Sequence, residues 1–399
     1  MSTTSSTSNS SPATQDTVRF QEIVCSDQQS KIAVATLCNP KALNALTHNM
    51  LVLLNDQLEK WHDDDAVLCV ILDGEGEKAF CAGGDVRTLH DKMKHAPIED
   101  AKAYAEAFFG TEYQCDYLIH TYSKPIIAWG EGIVMGGGMG LFMGASHKVV
   151  TPDSRLAMPE IHIGLFPDVG ATYFLNRLDD DIGLFLGLTG VMMNGTDALD
   201  VRLADHMNAP TDKQKLLHQL QQSDWNSIED SYDYLTEVLT ELADNANIAK
   251  PAAHLLPLIP DIQRACAFDT LEEVFDNIQA LPCHEKWMQT AQRNLMDGSP
   301  ITAHICFRQL KQYHHLSLAD CFRLELILGL RSVEYGEFQE GVRARLVDKD
   351  GMPHWAYAHI SQVPKSVIDN LFTSLWREQE HPLAMLGIIN SRRQTMNLF

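Results

Sequence analysis

Apolar runs of strand length alternate with stretches of helical spacing through the first part of the chain, and this alternation limits the folds open to it. Ala66 to Leu72 (AVLCVIL) is continuously apolar, as expected for a strand covered on both faces, and ends at the turn-rich Asp73-Gly74-Glu75-Gly76. Upstream, Lys31 to Leu37 (KIAVATL) is alternating and β-rich, Asn39-Pro40 makes a turn, and Thr47 to Trp61 has helical spacing at Met50, Leu51, Leu54 and Leu58. Downstream, a second buried strand is expected at Pro125 to Trp129, then a glycine cluster, an apolar helix through Phe142 and a strand at His147 to Thr151. Such a succession predicts an α/β core with parallel pairing. Beyond Leu203 the texture changes. Lys213 to Leu220, Ser231 to Asp244 and Thr270 to Ala280 are charged and helical in period, so the C-terminal part reads as mainly helical. The division is therefore a tail over residues 1–16, a core over 17–210 and a helical region over 211–399. The tail is dominated by Ser, Thr, Asn, Gln and Pro and cannot bury enough apolar surface to offset its ordering entropy, so disorder is expected there.

Charge narrows the partners. Lys and Arg number 31 against 53 Asp and Glu, a formal net charge of −22 over 399 residues. That field repels nucleic acid and anionic membranes, and a polyanionic ligand needs a locally basic entrance. Nine cysteines, with no Cys-x-x-Cys pair, fit reduced thiols and leave a Cys-built zinc site without support. No basic and apolar leader is visible and the first Arg is Arg19, so the expected compartment is the cytoplasm. Ile126 to Ala145 is apolar enough to imitate a membrane span, but four of the five residues from Gly136 to Gly140 are glycine, a poor helix interior. No membrane insertion is expected.

Two Gly-rich turns, each after a strand-like run, are the first candidates for chemistry: Phe80-Cys81-Ala82-Gly83-Gly84-Asp85 and Met135-Gly136-Gly137-Gly138. Backbone without a Cβ can approach a ligand closely and point free N–H groups at it, so together they could form an oxyanion hole. Glycine clusters also simply mark tight turns. Neither has the spacing of a dinucleotide or nucleotide-triphosphate loop. The second candidate is Met158 to Gly170 (MPEIHIGLFPDVG), where Glu160 and Asp168 lie in an apolar, Pro- and Gly-broken segment. Desolvation there would raise a carboxyl towards the range of a useful base. Glu160 as a solvated loop acid and Asp168 as a turn cap are the structural alternatives. His162 reads as a neutral or surface histidine in strand-like alternation. Cys81 reads as packing, and the histidines show no His-Glu-x-x-His element, so no metal is expected.

KAFCAGGDVR (Lys78 to Arg87), MGGGMGL (Met135 to Leu141) and MPEIHIGLFPDVG resemble the signature segments of the crotonase, or enoyl-CoA hydratase/isomerase, superfamily. PKALNALTHNM (Pro40 to Met50), SPITAHICFRQL (Ser299 to Leu310) and EFQEGVRARLVDKDGMPHW (Glu337 to Trp355) extend the likeness over about residues 17 to 360, nearest to its hydrolase branch. The resemblance implies a crotonase-type ββα spiral with a helical C-terminal region. It implies an oxyanion hole from the amides of Gly84 and Gly137, an acid-base or nucleophilic Glu160, and Asp168 as second carboxylate. Hydratases carry their other glutamate at the position of Gly140, which argues against water addition across a double bond. Arg87 and, more weakly, Lys41 match basic positions near the CoA phosphates. Ala82, Gly83 and Gly136 would contribute backbone to the bound acyl-CoA. The activity so implied is hydrolysis of a short-chain 3-hydroxyacyl-CoA, best candidate 3-hydroxyisobutyryl-CoA, a step of valine catabolism. No cofactor is needed beyond the CoA of the substrate, and a homo-oligomer is left open because members commonly assemble. The alternatives are a hydratase or isomerase of the same fold and a non-catalytic acyl-CoA-binding protein.

Overall fold

Each strand-length apolar run becomes a strand of one sheet, and each glycine turn leads from a second sheet into a helix. The computed structural model describes residues 17–179 and 181–388; the tail expected over residues 1–16 lies outside them. In chain order the first half comprises β1 (Val18–Val24), β2 (Lys31–Leu37), α1 (His48–Asp63), β3 (Val67–Gly74), β4 (Ala79–Cys81), α2 (Val86–His95) and α3 (Ile98–His120). There follow β5 (Ile126–Gly130), β6 (Ile133–Met135), α4 (Gly137–Gly144), β7 (His147–Val150), β8 (Arg155–Ala157), α5 (Ala171–Phe174), α6 (Ile182–Thr189), β9 (Met193–Asn194), α7 (Gly195–Asp200) and β10 (His206–Met207). The helical region adds α8 (Asp212–Gln222), α9 (Ser231–Ala246), α10 (Ile259–Cys266), α11 (Leu271–Ala280), α12 (Lys286–Asp297), α13 (Pro300–Gln312) and α14 (Leu318–Tyr335).

The larger sheet has the order β1-β2-β3-β5-β7-β10 and the smaller β4-β6-β8-β9. Parallel pairing joins β2 to β3, β3 to β5, β5 to β7 and β7 to β10, with β1 antiparallel at the edge. Ile71 lies opposite Ile127, which lies opposite His147. Three successive units thus run large-sheet strand, small-sheet strand, helix: β3-β4-α2, β5-β6-α4 and β7-β8-α5. That is a ββα spiral.

The continuous apolar runs are explained by burial on both faces. Val70, Leu72, Ile126, Ala128 and Val150 face the main core, packed against α1, α3 and α4. Cys69, Ile71, Ile127, Trp129 and Val149 face the other way, against Leu216 and Leu220 of α8 and Leu235, Val238 and Leu239 of α9. Full burial of each Val, Leu or Ile contributes about 1.5–3 kcal/mol. The stretch that imitates a membrane span is instead β5, β6 and α4. Among the described residues no helix is long and apolar enough to cross a membrane.

Candidate active site

Two glycine turns from adjacent units of the spiral meet at one point. The first follows β4 and is sewn to the loop before α1: the amides of Ala82 and Asp85 donate to Leu43 and Leu46 carbonyls at 3.0 and 2.8 Å, and the Leu46 amide donates to Gly83 at 2.8 Å. The second joins β6 to α4. Gly83 at φ 109° and Gly136 at φ 49° adopt backbone that L residues rarely enter, which ties glycine to both turns. A Cβ placed on Gly137 would stand 3.2 Å from the Gly84 nitrogen, and one on Gly83 would stand 3.8 Å from the Gly137 nitrogen. The Gly137 amide is the first of α4, where helix N–H groups are left over and the dipole favours negative charge. Neither the Gly84 nor the Gly137 amide donates to a protein acceptor among the described residues.

Glu160 stands beside this pair. It opens a single 3₁₀ turn, Glu160–His162, and is 4% exposed. Its Oε1 lies 3.1 Å from where a Cβ on Gly136 would be, and its Oε2 is buried with no hydrogen-bond partner. Burial, then the charges of Asp168 and Glu112, push its carboxyl well above the ordinary range. Asp168, also 4% exposed, accepts a hydrogen bond from the Tyr113 hydroxyl at 2.8 Å on Oδ2. Burial raises it to about 7, against the lowering effect of that hydroxyl. Glu160 is therefore not a solvated loop acid, and the Asp168 side chain bonds Tyr113 while the Gly170 amide of the turn donates to Glu325 instead.

Helix α3 brings groups that the sequence reading passed over. Besides Tyr113 it supplies Glu112, whose unpartnered Oε1 touches the Cβ position of Gly137 and lies 3.6 Å from that of Gly84. One turn on, Asp116 is fully buried with both oxygens unpartnered, 2.6 Å from the Cβ position of Gly140. An acid of α3 thus lies against Gly140. Burial raises both acids strongly, Asp168 adding to the effect on Glu112, and Glu112 and Asp168 to that on Asp116. From α14, Glu325 accepts the Gly170 and Thr172 amides at 2.7 and 2.9 Å. None of these five acids pairs with a Lys or Arg among the described residues, and burial raises the carboxyls of all five, Asp168 to about 7 and Glu325 to about 8. A trace of this exists in the sequence: Phe108, Glu112 and Asp116 follow a four-residue helical step, so two acids interrupt an apolar stripe.

The remaining candidates are less central. Arg87 is exposed on the first turn of α2, and Lys41 is exposed on a short turn lining a cleft of about 580 Å³ with Arg19, Phe20 and Glu75. Neither cation has an ion-pair partner among the described residues. Ala82 is half-buried beside Gly83, its amide bound to Leu43. His162 belongs to the 3₁₀ turn and not to strand-like alternation, because Pro159 and Gly164 confine the chain to a tight turn. Burial lowers it to about 4, so it is neutral as expected. Cys81 is fully buried and its thiol is pushed up to about 12, consistent with packing.

Free amides converging beside a desolvated carboxyl can stabilise a developing oxyanion while that carboxyl attacks or takes a proton. Known proteins agree with this frame. A family model described as enoyl-CoA hydratase/isomerase matches residues 32–372. The mitochondrial 3-hydroxyisobutyryl-CoA hydrolase of Danio rerio is 36% identical over 350 residues, 88% of this chain and 89% of that protein. Its name gives a compartment other than the cytoplasm expected from the sequence. A small ribosomal subunit protein of Arabidopsis thaliana is 33% identical over 365 residues, 89% of this chain and 85% of that protein. The crystal structure of an enoyl-CoA hydratase from Rhodobacter sphaeroides superposes with a TM-score of 0.76 at 30% identity, covering 90% of this chain and 98% of that one. The chain belongs to the enoyl-CoA hydratase/isomerase family, with its crotonase-type spiral.

Proposed function

We propose that this chain is an acyl-CoA thioester hydrolase acting on a short-chain 3-hydroxyacyl-CoA, with 3-hydroxyisobutyryl-CoA as the best candidate substrate. The products are then 3-hydroxyisobutyrate and CoA. The observation that supports this reading most is the approach of the Gly84 and Gly137 turns to each other beside the Glu160 carboxyl, whose Oε2 is buried without a partner. The likeness to the Danio rerio hydrolase supports the choice of substrate.

In the proposed reaction the thioester oxygen accepts the two amides, each commonly worth about 3 kcal/mol in the transition state. Glu160, once ionised, attacks the carbonyl carbon. The C–S bond breaks, CoA leaves as the thiolate, and water hydrolyses the mixed anhydride to restore the carboxylate. In the other route Glu160 takes a proton from water, which attacks directly. Oxygen-18 from labelled water appears in the Glu160 carboxyl in the first route only. Asp168, oriented by Tyr113, holds the water or the substrate 3-hydroxyl, and Glu112 offers that hydroxyl a second acceptor next to the amides. Lys41 and Arg87 oppose the chain's negative field where the CoA phosphates enter, and Ala82 lends backbone contacts. Gly83 and Gly136 leave room for the acyl group.

Assay with 3-hydroxyisobutyryl-CoA and a thiol reagent tests the reading: free CoA is expected, and its absence with every 3-hydroxyacyl-CoA refutes it. One observation favours a second reading, a hydratase: Asp116 puts a carboxyl against Gly140. Turnover of crotonyl-CoA without thiol release would select it.

A further inference from the structure

The loop that carries both acids is fastened to the helical half of the chain almost residue by residue. The Ser299 amide donates to Ile161 O at 3.0 Å and Thr302 Oγ1 to Leu165 O at 2.6 Å. Gln309 of α13 donates from Nε2 to Pro167 O at 3.1 Å and to Thr172 Oγ1 at 2.8 Å. Glu325 of α14 accepts the Gly170 and Thr172 amides. Both side chains are buried, at 1% and 0% exposure, and Asp168 lies between their attachment points. A buried loop has few other partners for its backbone groups.

The segment between those attachments is strained. Val169 sits at φ 53°, a region that a β-branched residue avoids and that persists only where the surroundings impose it. The residue before it, Asp168, accepts the hydroxyl of Tyr113 from α3 at 2.8 Å on Oδ2. Two helices far along the chain thereby hold an acid of the spiral in one orientation.

We propose that Gln309 and Glu325 are positioning residues that act on the reaction through Asp168, which gives the C-terminal helices a part in turnover; this rests on the hydrolase reading. Removing either is expected to let the Asp168 loop relax.

The test is a double-mutant cycle on thiol release from 3-hydroxyisobutyryl-CoA, with Glu325→Gln and Gln309→Leu made in wild-type and Asp168→Asn backgrounds. In the wild-type background each is expected to lower kcat about 10- to 100-fold with KM within about threefold. In the Asp168→Asn background each is expected to change the residual rate by less than about twofold. Equal losses in both backgrounds, or wild-type kcat in both variants, would overturn the proposal. Gln309→Leu carries the comparison if Glu325→Gln does not fold. A wild-type protein that releases no thiol refutes the function instead, and hydrogen exchange then reads the clamp. The amides of residues 170 and 172 are expected to exchange at least about tenfold faster in Glu325→Gln, and unchanged exchange would overturn it.

Discussion

The Tyr113 hydroxyl donates to Asp168 Oδ2 at 2.8 Å inside the core, joining the middle of α3 to the loop before α5. This bond holds an acid that burial has raised to about 7, next to a second acid, Glu160, raised further by the charge of the first. Burial and that neighbouring charge hold the Glu160 carboxyl well above its ordinary range, while Asp168 exchanges its proton at about 7.

Activity is expected to follow that titration. Burial raises both carboxyls above the free-acid range, Asp168 to about 7, so the ionised forms that attack or take a proton accumulate only towards higher pH. The profile of kcat/KM should climb roughly tenfold per pH unit on its acid side, with a midpoint at about 7 or above. A profile flat between about pH 5 and 8 would contradict the assignment.

Stability runs the opposite way. An acid whose folded pKa exceeds its unfolded value binds protons more tightly when folded. Its contribution is present below the unfolded value of 3.8 and is lost as pH rises through about 7. Asp168→Asn removes that penalty while an amide oxygen still accepts from Tyr113. The variant should gain about 1–3 kcal/mol over the wild type at pH 8 and little at pH 4. Thermal unfolding at the two pH values measures it, and an equal shift at both would argue against a buried, raised Asp168.

Gly137 tests the approach of the two turns. Gly137→Ala puts a methyl against Glu112 and 3.2 Å from the Gly84 nitrogen, between the two amides proposed to hold the thioester oxygen. A loss of about 10²-fold in kcat is expected, with far-UV circular dichroism unchanged. Full activity would mean that the substrate carbonyl binds elsewhere.

How far the sequence reached depended on how local each feature was. Both glycine turns, Glu160 and Asp168 were legible because each is a short motif in which residue type and neighbours suffice. The four inner strands β2, β3, β5 and β7 of the larger sheet were legible from their apolar, β-rich runs, whereas the edge strand β1, half exposed, and the two-residue β10 were not. The smaller sheet was not: β4, β6 and β8 are three residues each and β9 two, too short for any periodicity. Glu112, Asp116 and Tyr113 escaped because their roles come from where α3 lies, and α3 was not singled out. The apparent loss of a carboxyl at Gly140 shows the same limit. Only tertiary structure reveals that Asp116 lies against it. Glu325 needed the helical half to be placed before its bonds to residues 170 and 172 could be seen.

Glu160 bears most of the account. Glu160→Gln keeps the size and the 3₁₀ turn but removes the nucleophile or base. Thiol release from 3-hydroxyisobutyryl-CoA, measured for wild type and Glu160→Gln at pH 8, is therefore the most direct measurement. The expected result is steady release of CoA by the wild type and a rate at least about 10³-fold lower for the variant, both chains having the same unfolding midpoint or the variant a higher one. Comparable release by the two would contradict it.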